Sequence, residues 1–145
     1  MKKIFVIGLL LMTITISAHD YKKLILTMKG TIDKNQPIYI EPIDNDRVLV
    51  VNYLQSSLKA NGFKVVAEKE DAYYVIIINY KHRNDVGGCG GRVIKNLNGQ
   101  IINAKNNAEI VADFSFKQGS FEGKCTSNIM SALAKKIANE ASREN

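Results

Sequence analysis

The chain has 145 residues, of which 46% are hydrophobic, 10 are Gly and 2 are Pro, and its formal net charge is +6. This length predicts one domain, the apolar content excludes a disordered chain, and the few glycines and prolines exclude collagen-like and low-complexity classes. The basic residues are scattered and form no stripe interleaved with aromatics, so we predict no nucleic-acid partner.

Residues 1–18 have the three parts of a secretory signal peptide. Two lysines precede the apolar run Ile4–Met12, and small residues end the segment at Ala18. The run is short for a membrane span, which needs about 20 residues. We therefore predict cleavage after Ala18, a mature single domain of residues 19–145, and a periplasmic or secreted location; an uncleaved N-terminal anchor is the alternative. No Cys lies near the cut, so we predict no lipid anchor and at most peripheral membrane contact.

The only two cysteines are Cys89 and Cys125, with 35 residues between them. An oxidising compartment favours a disulfide between them, and closing this loop should stabilise the fold by about 3–4 kcal/mol. The alternative is a free Cys89 thiol activated by His82, which lies seven residues away along the chain.

The first half of the mature chain contains four predicted elements. The helix is predicted from an acidic N-terminal cap at Asp44 or Asp46, apolar residues at helical spacing, and a glycine at its end. The elements are an edge strand in Lys22–Lys29, a strand between Pro37 and Pro42, a helix with Val48, Val51, Leu54 and Leu58 on one face that ends at Asn61-Gly62, and a short strand Lys64–Ala67.

The second half is rich in strands. Ala72–Tyr80 gives the strongest strand signal and should be a central strand buried on both faces. The elements that follow are a glycine-rich loop at 85–91, a strand Arg92–Leu97, a hairpin turn at Asn98-Gly99, and strands Gly99–Ala104 and Glu109–Lys117. The last element is a helix capped by Thr126 or Ser127, with Ile129, Met130, Leu133, Ile137 and Ala141 on its apolar face. The predicted class is α+β, a mostly antiparallel sheet of four to six strands with two helices packed on one face.

Few residues suggest chemistry. The loop at 87–91 lacks the Lys-Ser/Thr ending of a phosphate loop. His19 and His82 make a thin metal site, and Asp113 is a lone surface carboxylate. We therefore predict no catalytic residues, no cofactor and no metal.

Four residues are candidates for binding. Leu24 and Leu26 lie in the predicted edge strand, where strand pairing with a partner is a plausible mode. Tyr73 and Tyr80 lie in the strongest strand and can reach a sheet face as anchors, with core packing as the alternative.

Three segments of the chain together resemble a known group of proteins. A helix ends in Leu58–Val66 (LKANGFKVV), a strand begins at Asp71–Ile76 (DAYYVI), and the closing helix contains Ala132–Ala138 (ALAKKIA). This pattern resembles small bacterial envelope domains. They include the penicillin-binding-protein activator lipoproteins, the periplasmic domain of the curli secretion channel and the N-terminal domain of the Tol-Pal translocation protein B. The resemblance covers most of the mature chain and implies a binding or assembly module without catalytic residues.

The sequence therefore predicts an exported, non-enzymatic envelope protein of the Gram-negative periplasm, which binds another envelope protein. Two alternatives remain open. One is a small thiol-dependent or other hydrolase that uses Cys89 and His82, and the other is a secreted inhibitor or adhesin-like factor. The sequence leaves the oligomeric state open.

Overall fold

The computed structural model describes residues 23–83, 89–118 and 124–142. The predicted signal peptide lies outside these residues, as does part of the glycine-rich loop. The elements in chain order are β1 (Leu24–Met28), β2 (Ile38–Ile40), α1 (Val50–Ala60), a 3-10 turn (Lys69–Asp71), β3 (Tyr74–Arg83), β4 (Val93–Asn103), β5 (Glu109–Lys117), β6 (Lys124–Cys125) and α2 (Thr126–Ser142).

The strands form one six-stranded sheet in the order β1-β5-β4-β3-β2, with β6 also paired to β4. The β2–β3 pair is parallel and the other strand pairs are antiparallel. The predicted α+β class, with a mostly antiparallel sheet, is confirmed. The prediction that Lys22–Lys29 holds an edge strand is also confirmed, since β1 pairs with β5 alone among the described strands.

The core lies between the two helices and one face of the sheet, which we call the covered face. Cross-strand rows on this face are apolar; one row places Ile78, Gly99, Phe114 and Leu26 side by side on four strands. The two helices contact each other and bury their apolar stripes, Val50, Leu54 and Leu58 on α1 and Ile129, Met130, Leu133, Ile137 and Ala141 on α2. The opposite face of the sheet, the open face, carries the alternate residues of the same strands.

α1 begins at Val50, later than predicted, since Val48 precedes it and its N-cap is Leu49, but its first-turn amides are bound by the predicted Asp46. Both carboxylate oxygens of Asp46 accept hydrogen bonds from first-turn amides, Oδ1 from Val50 N–H at 3.0 Å and Oδ2 from Val51 N–H at 2.9 Å. At the other end Gly62 has φ +84°, and Phe63 N–H donates to the carbonyl of Leu58. A left-handed residue after the last turn favours glycine, because glycine carries no Cβ.

The predicted hairpin turn at Asn98-Gly99 is wrong. The two residues lie in the middle of β4, so the predicted strands Arg92–Leu97 and Gly99–Ala104 are one strand. Gly99 is required there by close packing, since a Cβ on it would lie 2.3 Å from both the Ile77 carbonyl oxygen and Phe114 Cζ. The glycine accommodates the Phe114 ring rather than a chain reversal.

Two further predictions need adjustment. Lys64–Ala67 is not a ladder strand, because only Val65 forms a bridge, to Ile38 of β2. The strand predicted at Ala72–Tyr80 runs from Tyr74 to Arg83. Its side chains are buried on both faces only in the first half of the strand, where β2 pairs with it. None of the helices in the described part of the chain is long and apolar enough to cross a membrane.

Candidate functional site: the β1 edge and the open sheet face

The outer edge of β1 carries backbone groups that point away from the sheet. Lys29 N–H donates to the Val111 carbonyl on the β5 side at 2.8 Å. Because the direction of these groups alternates along an antiparallel strand, Ile25 and Thr27 also point toward β5. The amides and carbonyls of Leu24, Leu26 and Met28 therefore face outward, where no described strand pairs with them.

The side chains of β1 divide between the two faces of the sheet. Leu24 is 2% exposed and belongs to the core, and Leu26 packs against the core from a half-buried position. Ile25, between them, is 56% exposed on the open face. The structure thus places the predicted binding residue Leu24 in the core, and its contribution to an edge contact is its outward backbone.

The two predicted tyrosines lie apart, Tyr73 just before β3 and Tyr80 in its second half. Tyr73 precedes the strand, and its ring meets that of Tyr74 edge to face at 4.8 Å between centroids. Tyr80 donates its hydroxyl hydrogen bond to Asp46 Oδ1 at 3.0 Å. Burial, and secondly this hydrogen bond to Asp46, raise the pKa of Tyr80. Tyr80 therefore fixes the loop that starts α1 and shares no single binding surface with Tyr73.

The open face is polar in its middle rows, although the row of Val75, Ile102 and Ile110 near the start of β3 is apolar. One row across four strands consists of Asn79, Asn98, Ser115 and Ile25. Two adjoining shallow hollows, of about 340 and 300 Å³, share Asn79 and Asn98 in their linings. Such amide side chains offer hydrogen bonds to a bound molecule but no nucleophile or general base.

Asp113 lies in the neighbouring row and is engaged by two side chains. It forms an ion pair with Lys29, and Gln100 Nε2 donates to its Oδ1 at 2.9 Å. The hydrogen bonds from Lys29 and then Gln100 lower the pKa of Asp113. From the sequence alone Asp113 is a lone surface carboxylate; its pairing with Gln100 of β4 and with Lys29, just after β1, follows only from the register.

The two cysteines are joined as predicted. Cys89 and Cys125 form a disulfide with their Cα atoms 5.4 Å apart, and it links the loop before β4 to β6, directly before α2. A cysteine in a disulfide has no thiolate, so the alternative that pairs Cys89 with His82 lacks its nucleophile while the bridge is intact. The His82 ring instead lies 6.1 Å from the Tyr80 ring.

Metal-binding geometry is absent from the described ranges, where no three His, Cys, Asp or Glu side chains lie together. His19, the other half of the metal site considered from the sequence, lies outside those ranges.

The exposed residue that the sequence analysis missed is Ile25. The signal that could have found it is the period of two in β1, which puts Ile25 and the polar Thr27 on the same face.

Comparison with known proteins identifies the fold and no family. No family model matches the chain, and no curated protein matches it. The structure resembles PelC from Paraburkholderia phytofirmans, solved as a dodecamer, with 14% identity over 81% of this chain and 96% of that chain at a TM-score of 0.54. It also resembles a PDZ domain protein from Parabacteroides distasonis, with 9% identity over 81% of this chain and 35% of that chain at a TM-score of 0.52.

TolB from Acinetobacter baumannii is a further structural match, with 14% identity over 80% of this chain and 31% of that chain at a TM-score of 0.49. At such identities the likenesses to PelC and to the PDZ domain protein show a shared α+β fold and nothing finer.

Proposed function

We propose that the chain is an exported, non-enzymatic envelope protein that binds another envelope protein. In this proposal an extended segment of the partner pairs with the outer edge of β1 as an additional strand of the sheet. The observation that carries this proposal is the row of outward backbone groups on Leu24, Leu26 and Met28, which no described strand pairs. An extended partner segment can satisfy these groups with main-chain hydrogen bonds, as in other strand-addition complexes.

The two edges of the sheet differ in a way that favours β1. At the other edge, the Val65 segment covers part of β2: Ile38 N–H donates to the Lys64 carbonyl and Val66 N–H donates to the Ile38 carbonyl. β1 has lysines at its ends, Lys23 and Lys29, which are the residues proteins use to discourage uncontrolled edge pairing. The β1 edge, flanked by lysines and paired with β5 alone among the described strands, is suited to a chosen partner.

Export is supported by the sequence of residues 1–18 and by the disulfide, which forms in oxidising compartments. A role in assembly is supported by the fold shared with PelC, a protein solved as a dodecamer. The secreted alternative, an inhibitor or adhesin-like factor, is separated from this proposal by fractionation of cells and medium.

The test uses two substitutions at one position of β1. Leu26→Pro removes an N–H that faces outward, so the pairing with β5 is kept, whereas Leu26→Ala keeps the N–H and shortens the side chain. We expect the envelope protein captured by the wild-type chain also to be captured by Leu26→Ala and to be lost with Leu26→Pro. The thermal midpoints of both variants are measured first, so that capture is compared between folded proteins.

Equal capture by Leu26→Pro and Leu26→Ala would show that the partner does not pair with this edge. Capture by neither variant, with both folded, would assign the contact to the Leu26 side chain and would also contradict strand addition.

A further inference from the structure

The open face carries a row of lysines at one end of the sheet. Lys81 of β3 lies opposite Asn96 of β4, which lies opposite Lys117 of β5. Lys23 precedes the Leu24–Phe116 pair by one position and so continues the row beside Lys117. We call Lys23, Lys81 and Lys117 the lysine row; it spans three inter-strand spacings, about 14 Å.

The charges of the lysine row are not neutralised by the described carboxylates. None of its three lysines forms an ion pair with a described residue, and all three are exposed. The nearest carboxylate along β5 is Asp113, four residues from Lys117, and it pairs with Lys29. Like charges on neighbouring strands cost stability, so an external anionic partner would relieve a cost that the fold carries.

The same end of the sheet adds more positive charge around the row. Lys95 lies at the start of β4 beside Asn96 and is exposed. Lysine acts as a point charge rather than as a fork that grips one phosphate or carboxylate in a fixed geometry. A broad lysine-rich surface therefore fits an extended anionic surface better than a single small anion.

An exposed apolar side chain lies next to the row. Ile25 is 56% exposed and occupies the adjacent row of the open face, directly after Lys23 in the chain. Basic residues around an exposed apolar group are the combination with which peripheral proteins contact anionic bilayers, because the charges attract headgroups while the apolar group enters the interface.

We propose that the lysine row and Ile25 dock the protein on an anionic phospholipid surface. This inference is independent of the proposed partner at β1, because it uses side chains of the open face, whereas strand addition uses the backbone edge. Docking would orient the open face toward the bilayer and leave the helices facing away from it.

The test measures binding to vesicles of phosphatidylcholine alone and of phosphatidylcholine mixed with phosphatidylglycerol, using the chain in the form recovered from its host. We expect binding to the anionic vesicles alone, weakened by salt. The double variant Lys81→Gln/Lys117→Gln should bind them about 25-fold more weakly, since each lysine near an anionic surface contributes about fivefold.

The matched control removes the same charge elsewhere. Lys59→Gln/Lys64→Gln changes two exposed lysines at and just beyond the C-terminal end of α1, and we expect it to alter vesicle binding by less than about twofold. Ile25→Asn should weaken binding while leaving its salt dependence unchanged. Equal losses in the two double variants, or no preference of the wild-type chain for the anionic vesicles, would overturn the proposal. Binding to a soluble acidic protein or polysaccharide in place of vesicles would also overturn it.

Discussion

The two faces of the sheet are built from alternate residues of the same strands, yet they differ in almost every physical respect. Leu24 and Ile25 are neighbours in the chain, one 2% and the other 56% exposed. The covered face is apolar and closely packed, whereas the open face carries amides, an ion pair and the lysine row. The difference indicates that stability depends on the covered face and that the open face is available for contacts with other molecules.

The largest expected effect comes from the neighbouring pair in β1. Leu24→Asp would bury a carboxylate in the core without a partner and should lower the free energy of unfolding by about 4 kcal/mol. Ile25→Asp places the same group in solvent and should change it by about 0.5 kcal/mol or less. Urea denaturation of the two variants measures both values; similar losses would show that the faces are not distinct.

The next effect tests the packing of β4. Gly99→Ala would bring a Cβ within 2.3 Å of a backbone oxygen and of the Phe114 ring, so we expect a loss of about 3 kcal/mol. Gly30→Ala is the control, because its Cβ would meet Val111 Cγ1 at an ordinary 3.6 Å and should leave stability nearly unchanged. A Gly99→Ala variant as stable as the wild-type chain would show that Phe114 and the Ile77 carbonyl do not pack this closely on Gly99.

A smaller effect is expected at the start of α1. Tyr80→Phe removes the hydrogen bond to Asp46 and should lower the free energy of unfolding by about 1 kcal/mol. Tyr53→Phe should lower it less, because the Tyr53 hydroxyl makes a long contact of 3.5 Å with an exposed Arg92 nitrogen. Because the pKa of Tyr80 is raised on folding, the stability that Tyr80 contributes is fully present below the pKa it has in the unfolded chain. That stability is lost as the pH rises through the pKa it has in the folded chain. The wild-type chain should therefore lose more stability than Tyr80→Phe in alkaline denaturation; equal losses would contradict this.

The smallest effect concerns the open face. The pKa of Asp113 is lowered on folding, so its ion pair with Lys29 stabilises the fold above the unfolded pKa of the carboxyl group and is lost as pH falls through the folded pKa. Asp113→Asn should reduce the acid sensitivity of the thermal midpoint slightly, and the exposed Asp71→Asn should leave it as in the wild-type chain. An Asp113 variant with unchanged acid sensitivity would show that this pair contributes nothing measurable.

Local signals in the sequence predict much of the fold, because the ends of helices and the positions of most strands are determined by interactions between residues that are close in the chain. Asp46 and Gly62 end α1 by hydrogen bonding and backbone conformation, and both are readable from neighbouring residues. The role of Gly99 depends on Phe114, which is distant in sequence and becomes its neighbour only through the pairing of β4 with β5. Asn-Gly favours a turn locally, and tertiary packing overrode that preference.

The candidate site was predicted less well for the same reason. The edge position of β1 follows from its short apolar stretch with charged ends, but the face that each side chain occupies depends on the register with β5. The apolar stretch alone indicates Leu24 and Leu26, whereas the large apolar side chain exposed on β1 is Ile25. The lysine row likewise exists only across strands and has no signature along the chain.

Amide hydrogen exchange along β1 tests the central claim most directly, in the chain alone and in complex with its captured partner. In the chain alone, we expect slow exchange at Ile25 and Thr27, which point toward β5, and fast exchange at Leu26 and Met28, which point outward. In the complex, Leu26 and Met28 should become slow. Unchanged exchange at these two amides in the complex would contradict strand addition at the β1 edge.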